Sequence, residues 1–209
     1  MGNAMNSEQY LSNPCKASSL PFWKTNQISL PPSMSVVRDD LFSGLQEGCI
    51  DTLYFKLLHR LKALSPCTLP DGFSFTSVDE HSMAAHISCC YEEERVSVEE
   101  MKQYKKRSVY SPDLWIGLKE NDSGKLVATG IAEFDQEIKE GVLEWIQVSP
   151  EFRRRGLGRI IVNELLIRFA KRADFVTVSG RMNNPNNPYA LYLNCGFENP
   201  IIWHVVRRQ

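Results

Sequence analysis

The pattern of apolar and polar positions is clearest between Val142 and Lys171, where it predicts a strand, a tight loop and a helix. The segment VLEWIQV is rich in β-branched and aromatic residues and ends at Ser149-Pro150, which is typical of a buried strand. Apolar residues then recur at roughly helical spacing, at Leu157, Ile160, Ile161, Leu165, Ile167 and Phe169. Basic residues at Lys171 and Arg172 suit the negative end of a helix dipole. The loop over 151–158 therefore leads into the start of a helix.

Flanking stretches extend this pattern into a mixed α/β order, β-α-α-β-β-β-α-β-α-β. Period-two alternation and turn residues mark the strands, while a capping box at Ser97 and Glu100 marks the start of one helix. The strands are predicted over 73–78, 114–119, 126–134, 142–148 and 175–179, and the helices over 80–91, 97–107 and from Asn187-Pro188. Such an order is ordinary for mixed α/β architecture.

The first 70 residues read as an N-terminal extension docked on a main domain of residues 71–209. Leucines at 53, 57, 58, 61 and 64, three and four residues apart, predict an amphipathic helix over 51–64. Lys56 and His59 then fall on its solvated face, whereas Leu53, Leu57 and Leu61 are expected to be buried. A turn-rich linker follows over 65–72. Earlier, Asn13-Pro14 predicts a short helix, residues 35–37 a short strand, and residues 20–23 apolar anchors.

Composition excludes several classes of protein without fixing a function. The chain has 209 residues, is 43% hydrophobic and carries a net charge of -1, so no basic field argues for nucleic acid. Its six cysteines are irregularly spaced and predict reduced thiols rather than a metal site. No apolar run is long enough for a bilayer, and the start resembles a myristoylation signal except at Asn6. We expect a cytoplasmic protein without metal, membrane or nucleic-acid partners.

The loop over 151–158 has the composition of an anion site. Gly156 and Gly158 allow the backbone to approach a ligand closely, so that consecutive amide groups can point at one phosphate. Arg153, Arg154, Arg155 and Arg159 add forked donors that match phosphate oxygens. A pyrophosphate fits this combination, and the alternative is a basic turn that begins a surface helix.

Two motifs resemble those of the GNAT acetyltransferase superfamily. R-x-x-G-x-G is present as Arg153, Gly156 and Gly158, and the segment 187–197 contains the L-Y-x-x-x-G-F ending. The resemblance covers roughly residues 73 to 207. It implies an acyl-coenzyme A N-acyltransferase fold, α+β, in which a mostly antiparallel twisted sheet has flanking helices.

The resemblance also implies where coenzyme A binds. Strands 142–148 and 175–179 are expected to be parallel neighbours that splay apart, which exposes backbone groups to the pantetheine arm. The residues implied in cofactor binding are Ile146, Gln147, Val148, Arg153, Arg154, Arg155, Gly156, Leu157, Gly158, Arg159, Asn187 and Tyr192.

Transfer from a thioester to an amine requires a base for the amine and an acid for the leaving thiolate. The family spacing selects Tyr192 as the acid, with Tyr189 as a competitor. Glu144 is the candidate base, because it lies among the apolar residues of a central strand, and Glu133 and Asp135 are rivals. Cys195 is interpreted as a packing residue.

The resemblance implies an acetyl-coenzyme A-dependent N-acetyltransferase that acts directly on a primary amine of a small molecule or peptide. One alternative is a noncatalytic acyl-coenzyme A sensor, and another is an enzyme with a different acyl donor. The identity of the amine is not legible from the sequence. The aromatic extension allows a homodimer, with Phe22 and Trp23 near the acceptor entrance or a second subunit.

Overall fold

A computed structural model of the chain describes residues 5–64, 66, 68–91 and 94–209. The start of the myristoylation-like segment, with Gly2, lies outside these residues. So do Ser65 and Cys67 of the predicted linker.

Helices and strands alternate along most of the chain. The helices are α1 (Ser7–Ser12), α2 (Pro14–Ala17), α3 (Phe22–Thr25), α4 (Glu80–Cys90), α5 (Val98–Lys105), α6 (Leu157–Phe169) and α7 (Pro188–Asn194). The strands are β1 (Met34–Arg38), β2 (Cys49–His59), β3 (Phe73–Ser77), β4 (Trp115–Glu120), β5 (Leu126–Asp135), β6 (Glu140–Val148), β7 (Phe175–Arg181) and β8 (Glu198–Arg208). Short 3-10 turns occupy Asp39–Leu41, Pro112–Leu114 and Pro150–Phe152.

The chain divides into two compact units, and the first comprises Met1–Arg60 and Phe175–Gln209. Its strands follow the order β1-β8-β2-β7, and each neighbouring pair is antiparallel. Phe55 and Leu57 of β2 are buried with Val176 and Val178 of β7 in its core. The predicted strand at 35–37 and the helix capped by Asn13 are confirmed as β1 and α2.

The helix predicted over 51–64 is wrong, because the long strand β2 (Cys49–His59) occupies most of this stretch. β2 pairs with β7 on one side and with β8 on the other, so both of its hydrogen-bonding edges are paired within the unit. Lys56 and His59, expected on a solvated face, are only 1% and 4% exposed. Leu57 is buried as expected, whereas Leu53 is 38% exposed. The leucine spacing imitated a helix, and backbone pairing with distant segments determined the strand.

Lys56 anchors the N-terminal segment to β2. Its ammonium group donates to the Tyr10 hydroxyl at 2.9 Å and to the carbonyls of Ser18 and Leu20 at 3.0 and 2.7 Å. It also lies 4.9 Å from the centre of the Tyr10 ring. Because buried cations require such partners, the residues before β1 are held by a specific polar contact as well as by apolar packing.

The second unit, Leu61–Asp174, contains four antiparallel strands in the order β6-β5-β4-β3. Helices α4 and α5 pack on one face, where Met83, Ile87 and Met101 share a core with Ile131. Helix α6 packs on the opposite face, since a Cβ added to Gly130 would lie 2.5 Å from Ile161. The candidate anion-binding loop, residues 151–158, thus follows a strand of a sheet that has helices packed on both faces.

The predicted order from residue 73 onward is confirmed, as is the mixed α/β class with mostly antiparallel strands and flanking helices. The capping box at Ser97 is present, and both of its hydrogen bonds form. β6 begins at Glu140, two residues before the predicted start, which shortens the preceding turn. The docking of residues 1–70 on a main domain and the pairing of the 142–148 and 175–179 strands stay predictions.

Candidate active site

The loop between β6 and α6 presents amide groups that nothing in the described chain uses. Arg154 and Gly156 have φ values of 63° and 79°, which turn the backbone twice before the helix begins. Gly156 is the residue before the first helical turn, and no side chain caps it. Among the described residues, no carbonyl or side chain accepts from the amides of 154–159. Unpartnered amides at the positive end of a helix dipole form a site for an anion.

The four arginines predicted at this loop divide into two groups. Arg154, Arg155 and Arg159 are exposed, and the Arg155 guanidinium lies 4.9 Å from the Phe152 ring centre. Arg153 is half-buried and donates to the carbonyls of Val148 at 3.2 Å and Cys90 at 2.7 Å. Three of the arginines are therefore directed to solvent around the amides, while the fourth is bound to the backbone.

A buried polar cluster beneath the loop was not found by sequence reasoning. His86 of α4 contacts the hydroxyl of Thr129 at 2.9 Å and that of Ser149 at 3.0 Å, and Gln147 donates to the same Thr129 oxygen. Burial lowers the pKa of His86 to about 4, so its ring is neutral at neutral pH. Ser149 immediately precedes the loop, hence the cluster fixes the point where the loop leaves β6.

The carbonyls at the end of β6 are partly engaged. Ile146 accepts from the Tyr91 hydroxyl at 3.3 Å, and Val148 accepts from Arg153. Gln147 is 4% exposed, so its side chain belongs to the interior and only its backbone could contact a ligand. The structure therefore fixes the strand end that was predicted to bind the pantetheine arm.

Glu144 occupies a bulge in β6. Ile131 pairs with Trp145 and Ala132 with Leu143, which leaves Glu144 without an opposite residue in the β5–β6 register. A bulge of this kind redirects side chains and is frequent beside active sites. Glu144 is half-buried. Its position is thus structurally distinct from every other residue of the strand.

The two rival carboxylates are buried and engaged. Glu133 is 2% exposed and pairs with Arg107 at 2.6 Å. Asp135 is also buried and accepts from the amide of Glu137 at 2.9 Å. An ion pair and a turn contact therefore account for these two groups.

Tyr192 and Asn187 lie on α7, in the first unit. Asn187 caps the helix as predicted, with its side chain accepting from Ala190 at 3.2 Å and its φ at 49°. Tyr192 is buried and its ring lies 5.6 Å from that of Phe197 and 6.1 Å from that of Phe55. Tyr189 is half-buried against the same Phe55 ring at 5.2 Å. Packing thus fixes both tyrosines, and Cys195 follows at the end of the helix.

The described residues contain neither a candidate membrane-spanning helix nor a candidate metal site. Within the ranges given above, no helix is both long and apolar enough to cross a membrane. In the same ranges, no group of three or more His, Cys, Asp or Glu side chains could hold a metal ion.

Comparison with known proteins links this geometry to a family. Residues 80–197 match the model of the acetyltransferase (GNAT) family. A search of curated proteins found no match. The matched segment begins at α4 and ends just after α7, so it includes the loop, the Glu144 bulge and Tyr192.

Solved structures with a similar fold share little sequence with the chain. A GCN5-related N-acetyltransferase from Sphaerobacter thermophilus is 18% identical, with a TM-score of 0.62 over 76% of this chain and 52% of that one. Ard1 from Thermoplasma volcanium is 13% identical, with a TM-score of 0.53 over 65% of this chain and 97% of that one. A tandem GNAT protein from the clavulanic acid biosynthesis pathway is 15% identical, with a TM-score of 0.58 over 84% and 64%. The chain spans about half the length of the first of these, and at such identities the likeness shows the fold alone.

Proposed function

The chain belongs to the acetyltransferase (GNAT) family, whose model matches more than half of it, and we propose that it transfers an acetyl group from acetyl-coenzyme A to a primary amine of a small molecule or peptide. Membership supports an acyl-coenzyme A-dependent acyltransferase in general, and the acetyl donor and the amine acceptor are our proposal. The observation that carries it is the uncapped start of α6 beside three outward arginines.

The pyrophosphate of coenzyme A is proposed to bind the amides of Gly156, Leu157, Gly158 and Arg159. A doubly charged group suits amide donors at a helix start, and the guanidinium groups of Arg154, Arg155 and Arg159 complement its oxygens. The pantetheine arm would run along the backbone of Ile146, Gln147 and Val148, as a strand partner does. Asn187 is proposed to face the same arm.

The chemistry is a direct transfer between two bound substrates. The amine nitrogen attacks the thioester carbonyl, a carbon–nitrogen bond forms, and the carbon–sulfur bond breaks. Glu144 accepts the amine proton, directly or through water, and Tyr192 gives a proton to the leaving thiolate. Proximity supplies a large part of the rate, so neither a covalent enzyme intermediate nor a metal is needed.

The proposal also includes the cellular location and the oligomeric state of the protein. We expect a cytoplasmic location, because reduced cysteines suit a reducing compartment. A homodimer is also proposed, with the aromatic segment around Phe22 and Trp23 at its interface or at the acceptor entrance. Sedimentation of the full chain at several concentrations tests the dimer.

The proposed activity is tested with the full chain, acetyl-coenzyme A and a panel of polyamines, aminoglycosides and peptides with free amino termini. We expect amine-dependent release of coenzyme A thiol and an acetylated product by mass spectrometry. Binding of acetyl-coenzyme A without turnover of any amine would instead favour the sensor. Turnover with a longer acyl-coenzyme A but not with acetyl-coenzyme A would show that the acyl donor is the longer compound.

A further inference from the structure

Arg153 differs from the other arginines of the loop in what its side chain contacts. Its Nε donates to the carbonyl of Val148 and its Nη2 to the carbonyl of Cys90. Val148 ends β6 and Cys90 ends α4. One guanidinium therefore joins the end of a strand to the end of a helix, and both donors point to backbone rather than to solvent.

The contact to Cys90 satisfies a group that the helix leaves without a partner. The last four carbonyls of a helix have no intrahelical donor, and a cation there also complements the helix dipole. Arg95 serves the same helix end, donating to the carbonyls of Ser88 and Tyr91 at 3.2 and 2.9 Å. Arg153 is thus engaged in a structural contact of the kind that its neighbour Arg95 also makes.

Helix α4 and Tyr91, the residue that follows it, make two further contacts, one with the end of β6 and one with Ser149 just after it. His86 contacts the Ser149 hydroxyl at 3.0 Å, and the Tyr91 hydroxyl donates to Ile146 at 3.3 Å. All three contacts fall between residues 146 and 153, immediately before the backbone turns at Arg154 and Gly156. The segment that leads into the amides of 156–159 is therefore held in place by the end of α4.

We propose that the Arg153 side chain is a positioning group, which straps the phosphate loop to the end of α4 and holds its amides in place, and that it is not a phosphate ligand. This inference rests on the proposed function, since it concerns the same coenzyme A site. It assigns the charge contacts with phosphate to Arg154, Arg155 and Arg159. It also makes the end of α4 part of the machinery that shapes the site.

Salt dependence separates the two roles. Contacts between exposed charges and phosphate weaken as ionic strength rises, because the Debye length shortens from about 10 Å at 0.1 M salt to about 3 Å at 1 M salt. A strap made of hydrogen bonds within the protein is much less sensitive. Lysine provides a second distinction, because it keeps the charge of arginine but lacks the planar fork that reaches two carbonyls.

The test measures the coenzyme A dissociation constant of Arg153→Met, Arg153→Lys and Arg154→Met by calorimetry in about 0.05 M and about 0.5 M salt. For Arg154→Met we expect about a tenfold loss at low salt that largely disappears at high salt. For both Arg153 variants we expect a similar loss that persists at high salt. An Arg153→Lys variant that binds like the wild type, or an Arg153→Met loss that salt abolishes, would overturn the proposal.

Hydrogen exchange of the unliganded proteins examines the strap without any ligand. The hydrogen-bonded amides that flank the loop, those of Ser149, Phe152 and Ile160, should exchange about tenfold faster in the Arg153 variants than in the wild type or in Arg154→Met. Unchanged exchange would contradict the strap even if affinity fell. A wild-type protein that binds no coenzyme A would refute the proposed function, whereas the exchange result would still decide the role of Arg153.

Discussion

The loop before α6 and the segment around Lys56 both contain cations, but the two regions use them in opposite ways. Around the loop, Arg154, Arg155 and Arg159 are exposed and the helix amides have no partner in the described chain. Lys56 is buried and donates to three oxygen atoms of the N-terminal segment. Unused donors at a surface indicate a binding site, whereas saturated donors in the interior indicate a structural anchor.

Gly158→Glu is expected to give the largest effect, because it places a carboxylate where the proposed pyrophosphate binds. Coenzyme A affinity should fall by about 10³-fold, or about 4 kcal/mol. The fold should survive, since an acidic side chain is favourable in the first turn of a helix. Calorimetry measures the affinity, and circular dichroism checks the fold. Gly158→Ala is the matched control, and a folded Glu variant with normal affinity would remove the loop from the site.

Lys56→Met should lower the stability of the fold and leave coenzyme A affinity nearly unchanged. It keeps much of the side-chain volume but leaves the Tyr10 hydroxyl and the carbonyls of Ser18 and Leu20 without that donor. The free energy of unfolding should fall by about 2 to 4 kcal/mol, while coenzyme A affinity stays within about twofold. Urea denaturation checks the first and calorimetry the second. The exposed Lys119 provides the control Lys119→Met, and equal stability of the two variants would show that the anchor is unimportant.

Tyr192→Phe keeps the packing against Phe55 and Phe197 and removes only the hydroxyl. If that hydroxyl protonates the leaving thiolate, kcat should fall by about 10²-fold while coenzyme A affinity changes little. The comparison needs an acceptor from the amine panel and conditions in which chemistry limits the rate. Tyr189→Phe is the matched control, because the Tyr189 ring also packs against Phe55. Full turnover by the Tyr192 variant would exclude it as the acid.

The smallest expected effect concerns pH and His204 in the first unit. Its ring contacts Asp51 at 2.6 Å and Asp39 at 3.1 Å and is stacked on Phe42. Burial disfavours the charged ring, but the hydrogen bonds to Asp39 and Asp51 outweigh it and raise the pKa of His204. A raised pKa in the folded state stabilises the fold below about pH 6.5, and this stabilisation is lost as pH rises through the raised value.

Unfolding of the wild type and of His204→Asn from about pH 5.5 to about pH 9 tests this expectation. The difference in unfolding free energy between the two proteins should be largest at the acidic end and should shrink with rising pH. A difference that stays constant, or grows with pH, would show that the two carboxylates do not hold a protonated ring.

Local signals explain why the second unit could be predicted from the sequence. The capping box at Ser97 and the turn residues over 121–124 fix where elements begin and end without reference to distant segments. The glycine–arginine loop is equally local. By contrast, β2 is a strand because β7 and β8 pair with it from more than 100 residues further along the chain, and no local pattern contains that information.

Only part of the candidate site could be predicted from the sequence. Its glycines and outward arginines could be named from the sequence, because their chemistry depends on their spacing. The roles of His86, Thr129 and Ser149 could not, because a histidine in a helix becomes a buried contact only when a strand packs against it. The inward turn of Arg153 was missed for the same reason, since its acceptor Cys90 is 63 residues earlier.

Amide-resolved NMR of the full chain tests whether the amides at the start of α6 hold the pyrophosphate of coenzyme A. On titration with coenzyme A, the signals of Gly156, Leu157, Gly158 and Arg159 should shift together and saturate with one dissociation constant. Inorganic pyrophosphate should move the same four signals, whereas pantetheine, which lacks phosphate, should leave them almost unchanged. Saturable binding of coenzyme A without any change at these four amides would show that the pyrophosphate does not bind at the start of α6.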